Sequence, residues 1–190
     1  SERSRGLGDV YKRQIHYFEN IGTEYNYNFQ YIGIINDIDL QGYSSPEFID
    51  IDSDEDYDLL IGCIDGSIYF YENIGDKYNF DFYLRDNIFN NINVDSRSTI
   101  LSIDFDLDND YDLLIGSGNS NIFYYENSGN EFNPQFELNN DFILPYTGRN
   151  VSLDYYNSCS YSGIVSGIST GGMYFIPIKN NLFGDINNDN

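Results

Sequence analysis

One segment of this sequence occurs twice, at an interval of about 54 residues. The peptide Asp-Tyr-Asp-Leu-Leu-Ile-Gly ends at Gly62 and again at Gly116, and a Glu-Asn pair that begins at Glu72 recurs at Glu126. One unit earlier, at nearly the same interval, another Glu-Asn pair begins at Glu19. Chance does not give so many matches at one period. The chain therefore folds as a series of similar supersecondary units.

Each unit predicts four short strands. The predicted strands are residues 46–51, Leu59–Ile61, Ile68–Glu72 and Phe80–Leu84. Leu59–Ile61 is continuously apolar, and the tight-turn pair Asp65-Gly66 separates it from the third strand. Tyr, Phe and Ile favour strands, whereas Ala is absent. Four antiparallel strands in one unit are the content of a propeller blade. We predict an all-β fold, a partial β-propeller of four-stranded antiparallel blades; a β-sandwich with a duplicated hairpin is the alternative.

An alternating series of aspartates follows the first predicted strand of each unit. Calcium is a hard cation that takes six to eight oxygen ligands, and like charges crowded into one turn are costly unless a cation offsets them. By analogy with helical calcium loops, positions one, three, five and nine would donate side chains, and position seven its backbone carbonyl. A solvated acidic turn is the alternative, but the series occurs twice in register between apolar strands. We therefore predict Ca²⁺ sites whose candidate ligands are Asp50, Asp52, Asp54, Asp56, Asp58, Asp104, Asp106, Asp108, Asp110 and Asp112.

The charge of the chain excludes several partners. With 31 acidic and 9 basic side chains, the formal net charge is −22. Such a surface repels phosphate backbones and anionic lipids, so we expect no nucleic-acid binding. Aromatic residues make up 17% of the chain, which argues against disorder. The sequence contains no run of 18 apolar residues, so we expect no membrane insertion.

The aspartate series and the strands around it resemble a known repeat. The pattern F-x-D-I-D-x-D-x-D-x-D-L-L-I-G, followed by a glycine turn and an aromatic strand that ends in Glu-Asn, is similar to the FG-GAP or VCBS repeats of integrin-α-like β-propellers. The resemblance covers residues 15 to about 178. It implies a calcium-binding hairpin loop in each complete blade. It also implies a secreted or cell-surface protein that acts in adhesion or in binding a carbohydrate or protein ligand.

The repeat divides the chain into six segments. The run GLGDVYKRQ resembles translated sequencing-adapter sequence, and four of the nine basic residues precede residue 14. We expect these segments: 1–14, adapter-derived; 15–37, the end of a truncated blade; 38–91 and 92–145, blades with an Asp loop; 146–179, a degenerate blade; and 180–190, a linker and the start of a further repeat.

Two departures from the family pattern concern the loops themselves. The family has Gly at loop position six, where the backbone turns with positive φ, but this chain has Glu55 and Asn109. Asn tolerates that conformation better than Glu, so the first loop fits the pattern less well. In the degenerate blade, the loop of residues 154–162 keeps only Asp154. We expect that blade to fold without holding calcium.

The last residues suggest a different kind of repeat. The peptide GDINNDN at 184–190 comes too soon after the degenerate blade to begin another one. It resembles the opening of a dockerin-type calcium repeat, with Asp185, Asn187 and Asp189 as its first ligands. An irregular last blade is the alternative.

We expect a binding module without catalytic activity. The clustered carboxylates are already assigned to the calcium loops, and His16 lies on an alternating strand where an exposed position is expected. Cys63 and Cys159 are too few for a disulfide framework, and we interpret both as small hydrophobic residues. Two alternatives stay open: an accessory domain of a secreted polysaccharide-degrading enzyme, and a structural spacer that binds only calcium.

The number of units predicts the shape. One partial blade, two complete blades and a degenerate one fall short of a closed ring, because closed propellers have at least four blades. We expect an open arc with exposed apolar flanks at residues 15–30 and near the C-terminus, and these flanks would favour self-association.

Overall fold

The computed structural model describes residues 14–40, 42–86, 89–142, 148–158 and 162–178. The predicted adapter-derived segment, apart from Gln14, and the dockerin-like segment 180–190 lie outside the described residues, as does Cys159. The described part of the chain is all-β, as predicted. The only helical element in it is one 3-10 turn, Phe89–Asn91.

The described residues contain thirteen strands in four antiparallel sheets, which follow one another along the chain. Sheet I contains β1–β2, sheet II β3–β6, sheet III β7–β10 and sheet IV β11–β13. The strands are β1 (Gln14–Asn20), β2 (Phe29–Asp39), β3 (Ser44–Ile49), β4 (Asp58–Cys63), β5 (Ile68–Asn73), β6 (Phe82–Asp86), β7 (Thr99–Ile103), β8 (Asp112–Gly116), β9 (Ile122–Asn127), β10 (Phe136–Leu138), β11 (Ser152–Asn157), β12 (Ser162–Gly167) and β13 (Met173–Ile178).

Sheets II and III are the two predicted four-stranded units, with each strand beside the next in chain order. Their registers are the same: Ile49 pairs with Asp58 in sheet II, and Ile103 pairs with Asp112 in sheet III. The last strand of sheet II begins at Phe82, two residues later than predicted. The turn continues to residue 81 because the backbone N–H of Asp81 donates to the Asn73 side chain instead of entering the ladder.

The sheets stack face to face, so the middle two are buried on both sides. Side chains alternate across a strand. In β4, Leu59 and Ile61 pack toward sheet I, whereas Leu60 packs toward sheet III. In β8, Leu114 packs toward sheet IV. Burial on both faces explains why the Leu-Leu-Ile run is continuously apolar rather than alternating.

Successive sheets contact each other mainly through their first and second strands. β3 lies against β7, and β7 lies against β11. The sheets therefore approach one another along the edge that carries their first strands. The described residues do not close into a barrel or a propeller ring.

The structure corrects the interpretation of the loop in sheet IV. Asp154 lies within β11, where it pairs with Val165, and Ser162 is the first residue of β12. The hairpin closes from Asn157 to Ser162, so β11 extends over positions that belong to the loop in the other two sheets. The spacing of the other two loops predicts a loop position for Asp154, but this shorter hairpin does not have that position.

Both ends of the stack expose large apolar side chains, as predicted. Phe18 and Phe29 are exposed on sheet I, and Met173 and Phe175 are exposed on sheet IV. His16 is also exposed, and Cys63 is a buried free thiol, so both of these predictions are confirmed. Within the described part of the chain, no helix has the length and apolar character that crossing a bilayer requires.

Candidate metal centres

Each aspartate series forms the loop between the first two strands of its sheet. The first loop joins β3 to β4, and the second joins β7 to β8. At position six, Glu55 has φ 74° and Asn109 has φ 77°, which confirms the predicted left-handed turn. Position four is left-handed as well, with φ 58° at Ser53 and 70° at Leu107. Four non-glycine residues thus have a left-handed backbone conformation, which costs L-residues free energy.

The aspartate at position one holds this backbone in place. Asp50 accepts hydrogen bonds from the backbone N–H groups of Asp54 and Glu55, at 3.1 and 3.2 Å. In the second loop, Asp104 accepts the corresponding bonds at the same distances. The same bonding pattern thus accompanies the same aspartate spacing in both loops.

Positions one, three and five bring their carboxylates together. One oxygen from each of Asp50, Asp52 and Asp54 lies within 4.8 Å of the others. The same holds for the second loop, whose three residues are Asp104, Asp106 and Asp108. The structure thus places six of the ten predicted ligands in two tight clusters.

Position seven carries a buried carboxylate oxygen without a hydrogen-bond partner. Asp56 and Asp110 are both buried, and Oδ1 of each makes no hydrogen bond. Buried polar atoms in folded proteins are almost always bonded, so the same orphan atom in both loops calls for a partner. The analogy with helical loops assigned only the backbone carbonyl to this position. The side chain supplies a further unsatisfied oxygen, and a cation next to the cluster would satisfy it.

The aspartate at position nine closes the loop. Asp58 accepts hydrogen bonds from the backbone N–H of Asn73 at 2.8 Å and of Ile51 at 3.4 Å. Asp112 accepts from Asn127 at 2.7 Å and from Phe105 at 3.0 Å, and the hydroxyl of Tyr124 donates to it at 3.1 Å. These carboxylates lie outside the three-residue clusters and tie the loop to the third strand of the sheet.

Burial and mutual repulsion disfavour the charged form of these side chains. Burial raises the pKa of Asp58 to about 7, although two backbone hydrogen bonds act against it. Burial and the charge of Asp108 raise the pKa of Asp110 to about 6. The pKa values of Asp52 and Asp106 are raised by partial burial and by their aspartate neighbours. Without a cation, the charged carboxylates of each loop are therefore destabilised by burial and by repulsion from one another.

Asparagines at the end of the third strand organise both the loop and the next turn. The side-chain oxygen of Asn73 accepts hydrogen bonds from the backbone N–H of Gly75 and Asp81. Asn127 does the same in sheet III, and Asn20 does so in sheet I. The Glu-Asn pair recurs with the period of the repeat, so the sequence marks this asparagine. Its role as the acceptor that organises the turn is seen only in the structure.

The two loops line one cavity together with the turn between β9 and β10. The hydroxyl of Ser53 in the first loop donates to the backbone carbonyl of Glu131, 3.0 Å away, in the turn between β9 and β10. A cavity of about 340 Å³ lies between them, and its lining includes Asp50, Asp104 and Asp110. The loops are thus neighbouring parts of one acidic surface.

No protein-family model, curated protein or solved structure matches this chain.

Proposed function

We propose that this chain is a calcium-binding β-propeller module of a secreted or cell-surface protein, a non-catalytic unit that acts in adhesion or in binding a carbohydrate or protein ligand. The observation that carries the proposal is the duplicated loop. In each copy three carboxylates converge and a buried fourth has an oxygen without a hydrogen-bond partner.

The chemistry of the donors favours a hard cation such as calcium over zinc or copper. The two clusters contain only aspartate oxygens, which suit hard cations. Zinc and copper sites are built from Cys and His, and neither residue type occurs in the two loops. The residues best placed to hold the ion are those at positions one, three and five, with Asp56 or Asp110 completing the set from position seven.

The arrangement of the sheets supports the propeller part of the proposal. Sheets II and III each contain four antiparallel strands in chain order, and successive sheets meet face to face. Their contacts fall on the first and second strands, as they would if the sheets were arranged around an axis near those strands. The family resemblance of the motif is independent of these contacts and agrees with them.

A row of exposed aromatic residues supports ligand binding over a purely structural role. Tyr25, Tyr78 and Phe132 occupy the same position in the turns that follow β1, β5 and β9, and all three are exposed. Two of these turns contact the first loop, through Ser53 and through a 3.7 Å ion pair between Glu55 and Lys77. Exposed aromatic rings next to ordered loops suit the flat faces of sugars or the side chains of a protein ligand.

Calorimetric titration of the chain with CaCl₂ tests the proposal. We expect about two sites with dissociation constants on the order of 10⁻⁴–10⁻³ M, because neither loop has the bidentate Glu that completes tight sites at position twelve. That position is Ile61 in the first loop and Ile115 in the second, and both are buried in strands. An Asp52→Asn, Asp106→Asn double variant is the matched control and should give no heat. Absence of heat from the unmodified chain at millimolar calcium would refute the metal assignment.

A further inference from the structure

Another cavity, of about 220 Å³, lies at the end of the sheets opposite the aspartate loops. β3 runs from Ser44 at this cavity to Ile49 at the first loop, so the two ends are about 17 Å apart. The lining comes from the first strands of sheets II, III and IV, from the loops before these strands and from the end of β4. Three successive sheets therefore form one cavity.

Hydrogen bonds between the sheets hold the walls of this cavity in place. The backbone N–H of Arg97, just before β7, donates to the carbonyl of Ile64 in sheet II at 2.9 Å. The hydroxyl of Thr99 in β7 donates to the carbonyl of Val151, just before β11, at 2.7 Å. Sheet III is thus tied to both of its neighbours at the cavity. A ligand that enters the cavity does not have to order these walls, which favours binding.

Two residues of the lining have a left-handed backbone. The angle φ is 41° at Arg97 and 53° at Asn150. Such conformations cost a non-glycine residue free energy, persist only where the surrounding structure holds them, and cluster at ligand-binding sites. The backbone strain at this end of the sheets thus coincides with the cavity.

The electrostatic character of the cavity is the reverse of that of the whole chain. The formal net charge is −22, yet none of the described residues in the lining is an Asp or a Glu. Arg97 supplies a positive charge, and its guanidinium lies over the ring of Tyr43, 4.0 Å from the ring centroid. Lys77 and Arg85 each pair with a glutamate, but no carboxylate among the described side chains pairs with Arg97. The cavity therefore offers an anion an unpaired guanidinium.

We propose that this cavity binds a sugar acid, whose carboxylate pairs with Arg97. The planar guanidinium donates parallel N–H bonds to the two oxygens of a carboxylate, and its single positive charge matches the single negative charge of that group. This site is separate from the aspartate loops and does not use the proposed calcium ions. It adds a second ligand site to the proposed function.

The rest of the lining favours a sugar over an acidic peptide. In the described part of the chain, the hydroxyls of Ser44 and Ser45 make no hydrogen bond, so both can bind the hydroxyls of a sugar ring. An acidic side chain of a peptide has only a hydrocarbon stem behind its carboxylate and would leave these serines unused. The volume is below the roughly 300–1,000 Å³ of pockets for drug-sized ligands, so the cavity takes one sugar unit.

The charge of the chain limits the kind of glycan that carries this sugar. The acidic surface repels a polyanion, and the repulsion extends over about 8 Å at physiological ionic strength. A ligand with one carboxylate avoids most of this repulsion. We therefore expect a single acidic unit on an otherwise neutral glycan rather than a polymer of sugar acids.

NMR titration of the full chain with glucuronate, in physiological salt and constant excess calcium, tests the proposal. We expect a dissociation constant on the order of 10⁻³ M, as is usual for so small a ligand. The amide signals of residues 97–99 and 150–152 should shift, whereas those of the aspartate loops should not. Glucose has the same ring without the carboxylate and should bind at least about tenfold more weakly, because it loses a charged hydrogen-bond pair.

Two arginine variants separate a specific contact from the general field of the chain. Arg97→Gln should weaken glucuronate binding at least about tenfold and leave the weak binding of glucose unchanged. Arg149→Gln removes the same charge from an exposed residue beside Asn150 that does not line the cavity. This control should bind glucuronate as the unmodified chain does. Ser45→Asp places a carboxylate in the cavity and serves as a second variant, which should abolish binding.

Four results would overturn the proposal. They are no shift of the cavity amides at tens of millimolar glucuronate, equal binding of glucose, an equal loss in the two arginine variants, and equal binding of N-acetylglutamate amide, which carries the carboxylate on a peptide. Matched melting temperatures identify the properly folded variants. The calorimetric titration with CaCl₂ contains no sugar, so a failure at this cavity and a failure of the calcium assignment are told apart.

Discussion

At the scale of single residues, the aspartates of each loop divide into two roles. Asp104 and Asp112 accept backbone hydrogen bonds and hold the loop in shape. Asp106 and Asp108 converge with Asp104, and partial burial and the charge of Asp108 raise the pKa of Asp106. Asp110 has a carboxylate oxygen without a hydrogen-bond partner. Asp106 and Asp108 also accept backbone hydrogen bonds, from Asp108 and Asp110. Removing Asp112 should therefore damage the fold most, whereas replacing Asp106 or Asp108 by Asn, which keeps an acceptor oxygen, should mainly damage the response to calcium.

The first prediction contrasts Asp108 with Asp154. Asp108→Ala removes a member of the convergent cluster, so calcium should raise the melting temperature of this variant much less than that of the unmodified chain. Asp154→Ala changes a strand residue of a hairpin without the aspartate cluster and should leave the calcium-induced shift unchanged. Calorimetric melting with and without calcium measures both. If the calcium-induced shift were reduced equally in the two variants, the assignment of Asp108 as a calcium ligand would be contradicted.

The second prediction concerns Asp112 in calcium-free conditions. Asp112→Asn replaces one acceptor oxygen by an amide, so a buried backbone N–H of Asn127 or Phe105 loses its partner. The free energy of unfolding should fall by about 1–3 kcal/mol, the usual cost of an unsatisfied buried donor. Urea denaturation in calcium-free buffer measures it. Asp108→Asn is the control and should keep or increase stability, because it relieves repulsion between carboxylates; a loss as large as that of Asp112→Asn would refute the division of roles.

At the scale of the elements, the sequence predicted most of the strands and turns that depend on local residue types. The strands of sheets II and III, the turn at Asp65-Gly66 and the left-handed position six all follow from local residue types, and the structure confirms them. It did not predict the late start of β6 or the short hairpin of sheet IV. Both depend on tertiary hydrogen bonds and register: Asn73 extends one turn, and β11 continues its ladder across the positions where the loop was expected.

The third prediction uses the strain at loop position six. Glu55 has φ 74°, which costs a non-glycine L-residue about 1–2 kcal/mol. Glu55→Gly should therefore raise the free energy of unfolding by roughly 0.5–1 kcal/mol, after allowance for the greater freedom of glycine in the unfolded chain. The exposed ion pair with Lys77 contributes little against this. Asn109→Gly should change stability much less, because Asn tolerates this conformation; equal gains in urea denaturation would argue against the strain at Glu55.

At the scale of the whole molecule, charge and stacking act in opposite directions. The three apolar interfaces between the sheets hold the stack together, while the acidic surface opposes compaction. The loops concentrate this repulsion at one side of the stack, where two aspartate clusters and their shared cavity lie. The stability of the chain should therefore depend on whatever neutralises that side, either protons or a bound cation.

The last prediction is that acid stabilises the calcium-free protein. Burial raises the pKa of Asp58 to about 7 and that of Asp110 to about 6, whereas an aspartate in the unfolded chain titrates near 3.9. Between these values the folded state binds more protons than the unfolded state, so the free energy of unfolding falls as the pH rises. The melting temperature in calcium-free buffer should therefore decrease from pH 5 to pH 8.

Saturating calcium should reduce this slope or reverse it, because the ion binds the deprotonated carboxylates and stabilises the folded state most at high pH. Melting curves at pH 5 and pH 8, each with and without calcium, give the four melting temperatures that this comparison requires. The Asp52→Asn, Asp106→Asn variant separates the two effects: it should lose the response to calcium but keep most of the pH dependence, since Asp58 and Asp110 are intact. A calcium-free melting temperature that rises with pH would show that the loop carboxylates are not under strain.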